Sequence, residues 1–215
     1  PPASDDPAEW YEAFKASATE EELYRFLYAM PKGGDLHNHL SGSIISEWFM
    51  DLALAQEKRG YRYYTKVRIN NCRPNGSNAN SQSPYFMLFA NVQQTSLDAL
   101  DECEKGEYVA LTELNAEQKE GWLNSLRIDK DYEGRDEFFQ AHWQRMGELY
   151  LNPYLAADAL VKNMEEFASE GLVYLETMIG FSGFLAADGS VFSPDEVADI
   201  FRARLAEPAA VATGV

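Results

Sequence analysis

The chain has 215 residues, 46% hydrophobic and 25% charged, which excludes a mainly disordered polypeptide. With 18 Lys and Arg against 35 Asp and Glu, its net charge is −17. That balance argues against sequence-independent nucleic-acid binding and against anionic membrane surfaces, both of which need clustered positive charge.

No run of about 18 apolar residues is present, so no membrane-spanning helix is predicted. The start at Pro1 lacks the basic and apolar pairing of a signal peptide, which leaves open a leader already removed or a trimmed start.

Residues 1–33 are predicted to be a helical segment. Its first residues are frayed, and helices follow up to Met30 on the spacing of Trp10, Phe14, Leu23, Phe26 and Leu27. Thr19 and Glu22 fit a capping box. Pro31-Lys32-Gly33-Gly34 breaks the pattern, and Asp35 to Leu40 reads as a strand. Ser43 is placed to cap a helix over about Ile44 to Lys58, which completes a first strand–helix unit over 34–60. Residues 61–135 read as an irregular insertion. It contains a strand or ribbon over Tyr61–Ile69, an Asn- and Ser-rich loop over 70–83, and short apolar clusters around Tyr85–Val92 and Leu97–Leu100.

Residues 136–215 return to regular structure. Asp136–Tyr150 is helix-like, and Pro153 starts a helix with Leu155, Ala159, Leu160, Met164 and Phe167 on one face. Gly171 stands at its C-terminal cap. Leu172–Ile179 is nearly all apolar, as a buried parallel strand would be. Pro194 opens a last helix reaching about Leu205, with Asp195 and Glu196 in its first turn. Alternating strand and helix predicts an α/β fold with a parallel sheet. Only two strands of that kind are visible, while a closed eight-stranded barrel takes about 250 residues. The expectation is therefore an unfinished barrel, with exposed apolar edges prone to self-association.

Cys72 and Cys103 form no C-x-x-C motif. They flank the polar loop and either join in a disulfide, as in an exported protein, or are two unrelated free thiols.

The three histidines are His37, His39 and His142. His37 and His39 are two apart on a predicted strand, so they share a face. Such a pair either holds one divalent ion or forms a hydrogen-bonded couple. Zinc takes about four donors, so two would have to come from elsewhere. His142 lies on a helix and reads as a surface or packing residue.

The stretch Met30-Pro31-Lys32-Gly33-Gly34-Asp35-Leu36-His37-Asn38-His39-Leu40-Ser41-Gly42-Ser43 resembles the first-strand signature of the adenosine deaminase family. It looks most like the secreted, growth-factor-like adenosine deaminases and their bacterial relatives. Glu170–Glu176 is similar to that family's second barrel strand, and Glu137–Trp143 to the helix between the two. The likeness covers roughly residues 25–60 and 135–205.

It implies the first two units of a (β/α)8 barrel and one Zn2+ held by His37 and His39. It also implies hydrolytic deamination of a purine nucleoside or nucleotide at C6, with Phe139 and Trp143 among the apolar residues closing over the purine. Ser41 stands where typical members carry an Asp that binds the ribose 5′-hydroxyl, which leaves the substrate open among a nucleoside, a 5′-nucleotide and an N6-modified relative. The remaining zinc ligands and the proton shuttle of the family have no counterpart, so no catalytic residue is assigned in this chain. Glu176 is read as structural or supporting. The alternatives are a phosphoesterase of the polymerase-and-histidinol-phosphatase type, which shares Asp-Leu-His-x-His, and a non-catalytic binding module built on the insertion.

Overall fold

The structure is a computed structural model that describes residues 6–72 and 87–215. The frayed start expected over Pro1–Asp5 lies outside the described residues. So do most of the polar loop and the beginning of the Tyr85–Val92 cluster.

Helices α1 (Pro7–Ser17) and α2 (Glu20–Ala29) open the described chain. The Asp6 side chain accepts from Ala8 N–H at the start of α1. Thr19 and Glu22 close the expected capping box on α2. Trp10 and Phe14 pack on Phe26 with ring centroids 5.5 and 5.0 Å away. Neither helix contains a buried residue, so the pair is held mainly by its own aromatic contacts.

Strand β1 (Gly33–His39) follows, then a single 3-10 turn, Leu40–Gly42, and helix α3 (Ser46–Ala55). The expected Ser43 cap is a correction: Ile45 stands at the N-cap and gives no side-chain bond. The Ser43 hydroxyl is instead within bonding distance of Leu40 O and Asn38 Oδ1, so it serves the turn and not the helix.

The next stretch is more regular than an irregular insertion. Strands β2 (Tyr63–Lys66) and β3 (Asn91–Gln93), helices α4 (Gln94–Asp98) and α5 (Glu102–Lys105), strand β4 (Tyr108–Ala110) and helix α6 (Ala116–Ser125) occupy it. The three strands form an antiparallel sheet in the order β3-β2-β4. The ladder at β2 is four residues, shorter than the predicted Tyr61–Ile69. Past Lys66 the ladder ends, and the β4 side is reached by Val67 N–H donating to Glu107 O and Asn70 N–H donating to Glu107 Oε1.

Helix α7 (Arg135–Glu137), a π-helical turn at Phe138–His142 and helix α8 (Trp143–Met146) replace the continuous helix expected over Asp136–Tyr150. Gly147 (φ +49°) ends α8, and a 3-10 segment runs to Leu151. Helix α9 (Pro153–Ser169) is capped by Asn152, whose Oδ1 accepts from Tyr154 and Leu155 N–H. Gly171, at φ +83°, takes the left-handed position that turns the chain into strand β5 (Leu172–Met178). Helices α10 (Pro194–Leu205) and α11 (Pro208–Val211) complete the chain. Ser193 and Glu196 form a capping box on α10.

Strands β1 and β5 run parallel and, among the described residues, pair only with each other. A parallel pair separated by helices is what alternating strand and helix predicts. The expectation that β5 is buried is corrected: Val173, Tyr174 and Met178 are exposed, because only one face of the pair is covered. That face packs on α9, where Ala156, Leu160 and Met164 form a core with Leu40 and with Val197 and Phe201 of α10.

A second core joins Phe49 and Met50 of α3 to Tyr63, Leu111, Trp122 and Leu155. The β2–β4 sheet and α6 therefore share their apolar interior with α3 and α9. Among the described residues no helix is long and apolar enough to cross a membrane.

Candidate functional site

The site begins at the C-terminal end of β1. His37 and His39 are both exposed, and their Nε2 atoms converge to 3.3 Å. Their rings lie 5.1 Å apart between centroids, at 65°. Two imidazoles bound at about 2.0–2.1 Å to one tetrahedral zinc have their nitrogens about 3.3 Å apart, so the pair fits half of such a site. The same separation also accommodates one N–H···N hydrogen bond, in which one ring donates to the other.

The strand beneath the pair is irregular in two places. Gly33 and Gly34 face Leu172 and Tyr174, so β5 carries one extra residue there. Asp35 and Asn38 face Leu175 and Thr177, so β1 carries the extra residue next. The supernumerary positions are read in the burial: Val173 is 65% exposed and Leu36 68%. The two slips cancel, and His39 ends opposite Met178. Gly34 is required at the first slip, because a Cβ there would meet Tyr174 Cβ at 2.8 Å.

Asn38 lies between the histidines with its side chain on the opposite, helix-covered side. Its Oδ1 accepts from Thr177 Oγ1 at 3.0 Å, and its Nδ2 donates to Asp35 Oδ2 at 3.3 Å. The other Asp35 oxygen accepts from the His37 backbone N–H at 3.0 Å. Asn163 Nδ2, from α9, donates to Ser43 Oγ at 2.8 Å.

Beyond the strand, Ser41 sits half-buried in the 3-10 turn, and its carbonyl accepts from the Tyr150 hydroxyl. Burial pushes the Tyr150 phenol up, while its bond to Ser41 acts in the opposite direction. An aromatic wall covers this turn. Phe138 and Trp143 approach Gly42 closely enough that a Cβ there would lie 3.7 and 3.9 Å from their rings. Trp143 stacks on Tyr150 with centroids 5.7 Å apart. Phe139 is 6.3 Å from Trp143, and it is half exposed beneath the Arg135 guanidinium.

The structure therefore brings His37 and His39 together, and it gathers Ser41 and Trp143 around the adjacent turn, with Phe139 at the outer end of the wall. Sequence reasoning missed Phe138 and Tyr150. The helix expected over Asp136–Tyr150 would put Phe139 and Trp143 on one face, four residues apart, whereas Trp143 N–H donates five residues back to Phe138 O. That π geometry sets Phe138 and Trp143 one turn apart. Asn38 was missed too, because its partners Thr177 and Ser43 are not neighbours in any periodic pattern.

His142 is buried at 4% exposure and acts as a packing residue. Its Nδ1 lies 2.6 Å from Ser125 O, and its Nε2 is 3.4 Å from Glu133. Backbone N–H bonds from Asp129 and Lys130 hold the Glu133 carboxyl below its usual range, with the nearby His142 adding to the shift. Glu176 is exposed and accepts from the Tyr174 hydroxyl at 2.9 Å. Among the described residues, no group of three or more His, Cys, Asp or Glu is arranged to hold a metal. His37 and His39 thus supply two donors, and a complete zinc site takes more.

Cys72 and Cys103 are joined in a disulfide, with Cα atoms 5.8 Å apart and a sequence separation of 31. Of the two alternatives left open by the sequence, the structure contains the bridge. It ties the irregular segment after β2 to α5.

Comparisons with protein-family models, curated proteins and solved structures return no match.

Proposed function

We propose that this chain carries the N-terminal part of a zinc-dependent purine deaminase of the adenosine deaminase type, hydrolysing the C6 amino group to give an inosine-type product and ammonia. In this proposal β1 with α3, and β5 with α10, are the first two units of a (β/α)8 barrel. The observation that carries it is the 3.3 Å convergence of the His37 and His39 Nε2 atoms at the C-terminal end of a parallel strand. Barrel enzymes assemble their chemistry at that end.

His37 and His39 would hold the ion, and a bound zinc supplies Lewis acidity and lowers the pKa of water toward neutrality. Trp143 and Phe139 offer apolar, planar surface for a purine, and Trp143 is braced by Tyr150. The Ser41 hydroxyl stands at the turn as a neutral hydrogen-bonding group for a ribose or its 5′ substituent. A neutral group there repels a phosphate less than an Asp would. Further metal donors and the proton-transfer group are required from beyond the His pair, so the chain by itself turns over little substrate. The disulfide supports export, since such bonds persist in oxidising compartments.

The test combines Zn2+ titration with an adenosine assay followed by the fall in ultraviolet absorbance. The expected result is Zn2+ binding that is lost in His37→Ala and His39→Ala, with little turnover by the chain alone. Binding untouched by either substitution refutes the metal site. Robust turnover by the chain alone refutes the need for further donors.

A further inference from the structure

We propose that Asn38 is a positioning residue that sets the spacing of the two imidazoles, acting through a polar chain that runs from Asp35 to Asn163. The proposal deepens the metal-site assignment above and rests on it.

The bulge in β1 is what makes such a device necessary. Between Asp35 and Asn38 the register with β5 slips, so the regular ladder does not fix the segment carrying His37. Among the described residues β1 has no second neighbouring strand to fix it from the other side. Side chains take over that task. Asp35 Oδ1 accepts from the His37 backbone N–H, and Asp35 Oδ2 accepts from Asn38 Nδ2.

Asn38 is itself anchored at its other end. Its Oδ1 accepts from Thr177 Oγ1 on β5 at 3.0 Å, and Ser43 Oγ lies 3.3 Å away. Asn163 of α9 donates to that same Ser43 hydroxyl at 2.8 Å. One amide thus links β5, the 40–42 turn and the peptide of His37, with only 9% of the residue exposed. The chemistry requires an amide, since one end must donate to a carboxylate and the other must accept from a hydroxyl. Asn38 projects away from the imidazoles, so it leaves their nitrogens free for a metal.

Groups that orient metal ligands from behind typically change metal affinity by 10–100-fold when removed. The test uses the folded chain, Zn2+ as the probe and calorimetric titration, with histidine ring resonances followed by NMR. His142 is distant in role and serves as the internal reference. Asn38→Asp keeps the shape, loses the donor and sets a carboxylate against Asp35. It should weaken Zn2+ binding by about 10–100-fold at a temperature where the chain stays folded. The double variant Asp35→Asn, Asn38→Asp exchanges donor and acceptor and should recover binding to within about threefold. Thr177→Val should give an intermediate loss.

A merely structural role predicts a lower melting temperature with unchanged Zn2+ affinity at the working temperature, and that result overturns the proposal. Binding that survives in Asn38→Asp while His37→Ala abolishes it also overturns the positioning role but leaves the metal site standing. Binding indifferent to His37→Ala overturns the metal site and the positioning role with it.

Discussion

Replacing Trp122 by Phe tests the link between the antiparallel sheet and the aromatic wall. Trp122 is fully buried, and its indole N–H donates to Asn91 Oδ1 at 2.8 Å. Asn91 is buried as well, and its Nδ2 donates to Arg145 O at 2.7 Å and Phe89 O at 3.1 Å. One amide therefore pins β3 to α6 and to α8, the helix that begins with Trp143. The substitution leaves Asn91 Oδ1 without its donor, at a cost of about 1–3 kcal/mol. The lost ring adds a cavity term of about 1–2 kcal/mol, below the cost of a full truncation to Ala. The total is about 3 kcal/mol, read as a lower urea midpoint at unchanged slope by far-ultraviolet circular dichroism. In a double-mutant cycle with Asn91→Ala the coupling should be about 1 kcal/mol. A loss below about 1 kcal/mol, or a coupling near zero, refutes the pin.

Reducing the Cys72–Cys103 bridge should destabilise the chain by about 3–4 kcal/mol on the chain-entropy estimate for its loop, measured by urea unfolding with and without a dithiol. Gly147→Ala should cost more than about 2 kcal/mol or prevent accumulation of folded protein, because φ is +49° and a Cβ would sit 2.4 Å from Asn91 O. Burial pushes the Glu148 carboxyl up despite its bonds from Gln93 N–H and Ser96 Oγ. The folded chain therefore keeps a proton that the unfolded chain releases. That contribution is present below the unfolded pKa and is lost as pH rises through the folded one. Glu148→Gln should therefore gain stability relative to the parent as pH rises above the ordinary carboxylate range, and a parallel pair of pH profiles refutes the assignment.

Local chemistry made much of the fold legible. The capping box at Thr19, proline at the first turn of α9 and α10, and Gly171 at a left-handed turn each act within a few residues. The H-x-H pair was legible for the same reason, since strand alternation alone puts both rings on one face. What stayed hidden depends on distance along the chain. Strands β3 and β4 are three residues each and exist because β2 lies between them. The π turn adds one residue to a helical repeat, and the sequence pattern of Phe138–Trp143 does not record it. Asn38 meets Thr177 across 139 positions, a contact no local window contains. Ser43 looked like a helix cap because serine favours that position, but a competing carbonyl and amide claimed its hydroxyl.

The rims of β1 and β5, unpaired among the described residues, have a colloidal consequence. Each presents peptide groups ready to accept another strand, next to apolar side chains such as Leu36 and Val173. Mutual repulsion among molecules bearing a charge of −17 opposes that stacking. Ionic strength then acts as a throttle: dilute buffer keeps copies apart, and added electrolyte shortens the reach of the repulsion until edge-to-edge growth is favoured.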